Sequence, residues 1–153
     1  MLSMFNLSTP SSWTRYARNF TASTATPILI FGFETENART FYLDNVSIAD
    51  VTAPNLQLLQ NPNFENSTVA LTGWTEWCSP SCSSTVSSLS VGSNCYGSVG
   101  VCFSVKCSGS GISFFGQSFS AVINRTYTLA YWLQGAGGGG GAGIQNHVYV
   151  DIN

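Results

Sequence analysis

The sequence predicts an all-β protein, an antiparallel β-sandwich. Two observations carry that prediction. Residues 13–22, 27–34, 41–48, 56–60, 73–77, 101–105, 113–121, 126–133 and 147–152 are short runs rich in aromatic and β-branched residues, several with apolar side chains at alternate positions. Between them stand clusters of Ser, Thr, Asn, Gly and Pro, and no window of eleven or more residues keeps a 3.6-residue period with caps.

Taken in order, residues 13–22 alternate Trp13, Arg15, Ala17 and Asn19 against Thr14, Tyr16, Arg18 and Phe20. The runs 27–34 (PILIFGFE) and 41–48 (FYLDNVSI) read as two further strands, with a polar turn over 35–40. A connector follows at 51–54 (VTAP), which Pro54 marks as a stiff, extended spacer. Two segments read as loops: the Ser-rich, cysteine-bearing stretch 79–94, and 135–143, whose five successive glycines cannot form a strand interior. That glycine run lacks the Lys-Ser/Thr and following helix of a phosphate cradle, so it reads as a hairpin loop.

Composition narrows the function. The chain has 153 residues, of which only 8% are charged, against about a quarter in an ordinary domain. A hydrophobic content of 44% supplies one real core and excludes charge-driven disorder. A net charge of −2 without a basic cluster excludes nucleic acid, whose phosphates require Lys and Arg. No apolar stretch approaches the ~20 residues of a membrane-spanning helix. Hydroxyls are the main polar groups, with 22 Ser and 14 Thr. Asn-X-Ser/Thr occurs at Asn6, Asn19, Asn45, Asn66 and Asn124, where chance would give roughly three such sites. Attached N-glycans would supply the solvation that charges do not. Asn66 and Asn124 lie at turns and are the best acceptors, with Asn6 next. Asn19 and Asn45 fall within strands and require outward side chains.

Cys78, Cys82, Cys95, Cys102 and Cys107 fall within thirty residues rich in Ser and Gly, which suits bridged loops in an oxidising, extracellular compartment. Zinc fits less well, because the spacing contains no Cys-X-X-Cys and only His147 is available to help. Five is odd, so one thiol is left over, and the pairing stays open among fifteen schemes. Residues 1–10 lack the pattern of a signal peptide, so an exported chain reads as a mature segment or one unit of a longer precursor. No catalytic residue is expected. The seven acids do not pair by sequence as a glycosidase requires, and His147 has no Gly-X-Ser-X-Gly to serve.

Four short motifs carry a family resemblance: Asn61-Pro62-Asn63-Phe64-Glu65 followed by Gly73-Trp74; Gln117-Ser118-Phe119; Tyr127-Thr128-Leu129-Ala130-Tyr131-Trp132-Leu133; and Phe41-Tyr42-Leu43-Asp44-Asn45-Val46-Ser47-Ile48. Together they resemble carbohydrate-binding modules of the galactose-binding-like jelly-roll superfamily, in permuted order. The strands that close such a module (13–22, 29–34 and 41–48) precede the piece that opens it. The resemblance therefore implies closing strands of one jelly-roll module at 1–50, a connector at 51–54, and the opening strands of the next at 55–153, with a Cys-rich loop.

The resemblance also implies a structural Ca²⁺ held by Glu65 and Asp44, no cofactor being otherwise required. It implies sugar binding on aromatic platforms, for which Trp74, Trp77, Tyr96 and Phe103 are the candidates. Trp74 is expected in the core, leaving Trp77 and Tyr96 for a carbohydrate ligand.

Each half alone would expose sheet edges and an apolar face. Either the chain folds back on itself, or residues 1–50 complete an adjacent unit. The mid-motif start and the spacer-like connector favour the second. The expected function is then an extracellular structural protein: a glycosylated, head-to-tail homopolymer built by strand complementation, with Leu29, Phe31, Phe33, Tyr42 and Leu43 filling the neighbour's core. The alternative is a self-contained carbohydrate-binding module of a larger secreted protein.

Overall fold

The computed structural model describes residues 10–34, 39–78, 85–107, 111–137 and 146–153. Asn6, Cys82 and most of the glycine run lie outside the described residues, as does the side chain of Cys107.

Among the described residues nine strands form in chain order: β1 (Thr14–Thr21), β2 (Ile28–Glu34), β3 (Thr40–Asp50), β4 (Thr75–Cys78), β5 (Thr85–Val91), β6 (Val101–Cys107), β7 (Ile112–Ser118), β8 (Thr126–Ala136) and β9 (His147–Ile152). They build two antiparallel sheets, one in the order β1-β8-β3-β6-β5 and the other β4-β7-β2-β9. The alternation read from the sequence is what divides them into faces. Leu29, Phe31 and Phe33 of β2 point into the sandwich while Ile30, Gly32 and Glu34 point out.

The core is aromatic. Phe31, Phe33, Phe41, Phe64, Phe103 and Phe115 are fully buried, and rings from the first third of the chain interleave with rings from the last. Phe31 meets Tyr131 edge-on at 5.2 Å, Phe33 lies 6.0 Å from Phe103, and Phe103 stacks on Phe115 at 4.3 Å. Such pairs contribute about 0.5–1.5 kcal/mol each beyond the area they bury.

The two halves meet within one chain. β2 lies between β7 and β9, and β3 between β8 and β6, so residues 28–50 supply an interior strand to each sheet. Completion by an adjacent unit was the expectation; in this structure the chain completes its own sandwich. The spacer reading of the connector is corrected for the same reason. Ala53 N–H donates to Asp50 O, and the Thr52 N–H and hydroxyl both donate to Asp50 Oδ1, so 50–53 is a tight turn. Arg125 Nη1 donates to the other carboxylate oxygen at 2.9 Å.

The Thr52 bonds first, then Arg125, hold the Asp50 carboxyl down at about 2. Its contribution to stability is complete above the ordinary carboxylate range and is lost as pH falls from about 4 towards 2. Thr52→Ala should lower Tm at neutral pH and leave it nearly unchanged near pH 2, so that the acid limb of the Tm–pH profile flattens, as read by thermal melts across the range.

Three further expectations change. Residues 56–60 are not a strand: Gln57 Oε1 accepts the N–H groups of Ile48, Leu58 and Leu59, so a side chain replaces the ladder. The stretch 79–94 is not all loop, since β5 forms within it, its Ser88 hydroxyl bonded to that of Ser104 on β6 at 2.8 Å. β8 runs to Ala136, past the expected end at 133 and into the segment assigned to the glycine loop.

Candidate functional site

The opening motif of residues 61–74 is a hydrogen-bonded knot. Asn61 turns with φ 45°, its Nδ2 donates to Thr72 O and Oγ1, its Oδ1 accepts the Asn66 N–H, and its carbonyl accepts Trp74 Nε1–H. The buried Gln117 amide then clamps this knot to β7. Its Oε1 accepts the Gln60 N–H at 2.6 Å, and its Nε2 donates to Gln60 O and Gly73 O. Trp74 is buried and stacks on Phe115 at 4.3 Å, so it belongs to the core as expected, and Phe103 is buried beside it.

Glu65 leaves this knot towards the segment between β5 and β6. Its Oε1 accepts the Val101 N–H at 2.8 Å and lies where a Cβ on Gly100 would be, so a side chain there would displace the Glu65 carboxylate, at a position whose φ of 74° already favours glycine. Asp44 reaches the same segment from the outer side of β3, where a bulge between Asp44 and Ser47 sets Asn45 at φ 47°. Its two oxygens accept the N–H groups of Asn45 (2.7 Å) and Tyr96 (3.2 Å). Burial pushes the Asp44 carboxyl up to about 6 against those two bonds, and the charge of Glu65 raises it further. The two predicted metal residues therefore interact. Oxygen donors from one buried carboxyl, Asp44, and one exposed one, Glu65, suit Ca²⁺ in type. Among the described residues no group of three or more His, Cys, Asp or Glu converges, so carbonyls and water would have to supply the other ligands.

The segment over Asp44 is shaped by the Cys95–Cys102 disulfide and by the bond from Gly92 N–H to Gly100 O. It lays Tyr96 flat on Trp132 of β8 at 3.9 Å, with Trp13 edge-on to Tyr96 at 6.0 Å. This three-ring cluster lies on the outer side of the five-stranded sheet at Trp132 of β8. Cys78 is exposed at the end of β4.

Trp77 lies on the opposite face of the molecule, outside the four-stranded sheet. It is 41% exposed and stacked nearly parallel to Phe114 (5.7 Å, 13°), and its six-membered ring approaches Gly116, where a Cβ would meet it at 3.1 Å. The next two strands carry a polar cluster on the same face: Glu34 Oε2 bonds His147 Nδ1 at 2.9 Å and accepts the Tyr149 hydroxyl at 2.7 Å. Burial raises the Glu34 carboxyl, but the bonds from His147 and Tyr149 outweigh it and hold the group below its ordinary value. Tyr149 is pushed up to about 12 by burial and by the Glu34 carboxylate.

The two expected sugar-binding residues, Trp77 and Tyr96, thus stand on opposite sheets and cannot share one ligand. Sequence reasoning missed Trp13 and Trp132 beside Tyr96 and Glu34, His147 and Tyr149 beside Trp77. Only the outward phase of Trp132 in the alternation of β8 could have signalled one of them. Of the assembly residues, Leu29, Phe31, Phe33 and Leu43 are fully buried, whereas Tyr42 alternates to the outer side of β3 and Phe41 takes the inward place.

Asn19, Asn45, Asn66 and Asn124 are all exposed. Asn19 faces outward on β1, with Oδ1 accepting the Thr128 hydroxyl, and Asn124 sits at φ 66° in the turn before β8.

No protein-family model, no curated protein and no solved structure matches this chain.

Proposed function

We propose that the chain is a unit of an extracellular structural protein that assembles head to tail by exchanging residues 1–50 between copies, as a glycosylated filament of jelly-roll units. The observation that carries this reading is the position of β2 and β3. Each is interior to its sheet, so the remaining strands cannot close a sandwich without them. Strand exchange keeps every ladder and core contact between the halves and opens only the turn at 50–53. That turn has a few hydrogen bonds, against a core of some two dozen buried side chains. Exchange of identical elements is a low-cost route to association, and a contact that does not close propagates. The disulfide and the four exposed sequons support an oxidising, glycosylating compartment.

Ala17 and Ala130 face each other across β1 and β8, so Ala17→Cys/Ala130→Cys tests the exchange. An exchanged assembly gives a ladder of covalent oligomers on a non-reducing gel that the unsubstituted chain does not show. A monomer band at every protein concentration rejects the filament.

Calcium belongs to this reading as a structural ion on Glu65 and Asp44, supplying charge neutralisation to two carboxylates from different halves. Millimolar Ca²⁺ should raise Tm by several degrees relative to chelator, and Glu65→Gln should abolish the increment. Equal melts in both media remove the ion.

The second reading, a self-contained carbohydrate-binding module, is favoured by the exposed Trp77–Phe114 surface beside the Glu34–His147–Tyr149 cluster. Ring faces match sugar C–H groups, and the cluster offers hydrogen bonds at their edge. Binding in a glycan array that Trp77→Ala eliminates without altering Tm selects this reading.

A further inference from the structure

Where β3 ends and β8 begins, a groove of about 250 Å³ lies between residues 50–58 and residues 120–127. Ala53, Leu56, Leu58, Ala121, Val122 and Tyr127 make its lining largely apolar. Leu56 and Val122 remain 61% and 57% exposed there, so two large apolar side chains stand in solvent beside one another's groove wall. A concave apolar surface with a few polar groups at one side has the form of a small-ligand site.

The polar groups that line the groove differ in what they have left to offer. Asp50 is spent, with Oδ1 on the Thr52 N–H and hydroxyl and Oδ2 on Arg125 Nη1. The Tyr127 hydroxyl is held by the Val122 N–H at 2.7 Å. Arg125 uses Nη1 alone, and its side chain is 58% exposed. Among the described residues its Nε–H and Nη2–H have no acceptor, and the Ser120 hydroxyl has no partner. Nε–H and Nη2–H lie side by side on one edge of the guanidinium, a fork that matches the two oxygens of a carboxylate. The Asp50 charge is already offset by Thr52 and Arg125, so an entering anion meets that fork rather than a bare carboxylate.

We propose that this groove binds a small carboxylate with a hydrocarbon tail. The head sits on the Arg125 fork and the Ser120 hydroxyl, and the tail lies against Leu56, Leu58 and Val122. At ~30 Å³ for each water-sized group, the groove holds about eight non-hydrogen atoms, which is a carboxylate with a tail of about five carbons. Every lining residue belongs to one closed chain, so the site does not rest on the assembly proposed above.

Hexanoate is the probe, titrated into the isotope-labelled full chain and followed by NMR. Saturable shifts are expected at the backbone amides of residues 51–58 and 121–127 and at Arg125 Nε–H, with half-saturation at about 1 mM. Arg125→Lys keeps a positive charge for Asp50 but removes the fork, and should weaken binding roughly tenfold. Leu56→Asp changes an exposed side chain and sets a charge against the tail. It should abolish the shifts while Tm stays within a few degrees of the unsubstituted chain. Hexanol binding as tightly as hexanoate overturns the proposal, in favour of a purely apolar groove. Acetate binding as tightly overturns it in favour of a bare guanidinium. Shifts that are absent at about 20 mM hexanoate, or unaltered in both variants, also overturn it.

Discussion

Phe33→Ala is expected to lower the unfolding free energy by about 3–5 kcal/mol, a large share of the 5–15 kcal/mol typical of a domain. The ring is fully buried and touches Phe31, Phe41 and Phe103, so truncation leaves a cavity bordered by rings from both sheets. Those neighbours cannot close it easily, because β2 is held on both sides by β7 and β9. Phe33→Leu, which keeps most of the volume, should cost less than half as much. Urea denaturation followed by tryptophan fluorescence reads both. A loss below 1 kcal/mol for the alanine variant would mean that β2 is not interior to this sheet.

The second large effect concerns a polar residue. Gln117→Leu removes one acceptor and one donor, leaving the Gln60 N–H, Gln60 O and Gly73 O without their partner. Unpaired buried groups cost about 1–3 kcal/mol each, partly relieved where water reaches them, so a total of roughly 3–4 kcal/mol is expected. The loss should be local in character. Residues 60–74 should exchange faster than β8, and the Trp74 environment should change before the global transition, since that ring hangs on Asn61 O. Gln117→Glu, which keeps the acceptor but not the donor, should recover part of the loss.

The fold class was legible because alternation is written directly into β2, β7 and β8. Their inward Phe31, Phe33, Phe115, Tyr127, Leu129, Tyr131 and Leu133 are all buried. Beyond those runs, side chains that take over backbone roles obscured the pattern. Gln57 satisfies three N–H groups and makes a strand-like run into irregular backbone, while the Ser-rich β5 lacks the apolar signal although its hydroxyls bond across to β6. The connector was misread because Pro54 suggested stiffness, whereas Asp50 and Thr52 turn the chain before Pro54 is reached. The pairing of Asp44 with Glu65 was anticipated through resemblance alone. The bond between Glu34 and His147 depends on a register between β2 and β9 that local sequence does not encode.

The order of the strands along the chain has a kinetic consequence. β2 and β3 are synthesised before all of their partners β6, β7, β8 and β9, with β4 and β5 in between. Folding must wait for contacts far apart in sequence, which is slow, and during that wait two strands rich in Phe are bare. Where one copy follows another on the ribosome, the partner strands of the earlier copy are already out when the new β2 and β3 emerge. Under the exchange proposed above, this timing would favour joining each copy to the one before it over closure on itself.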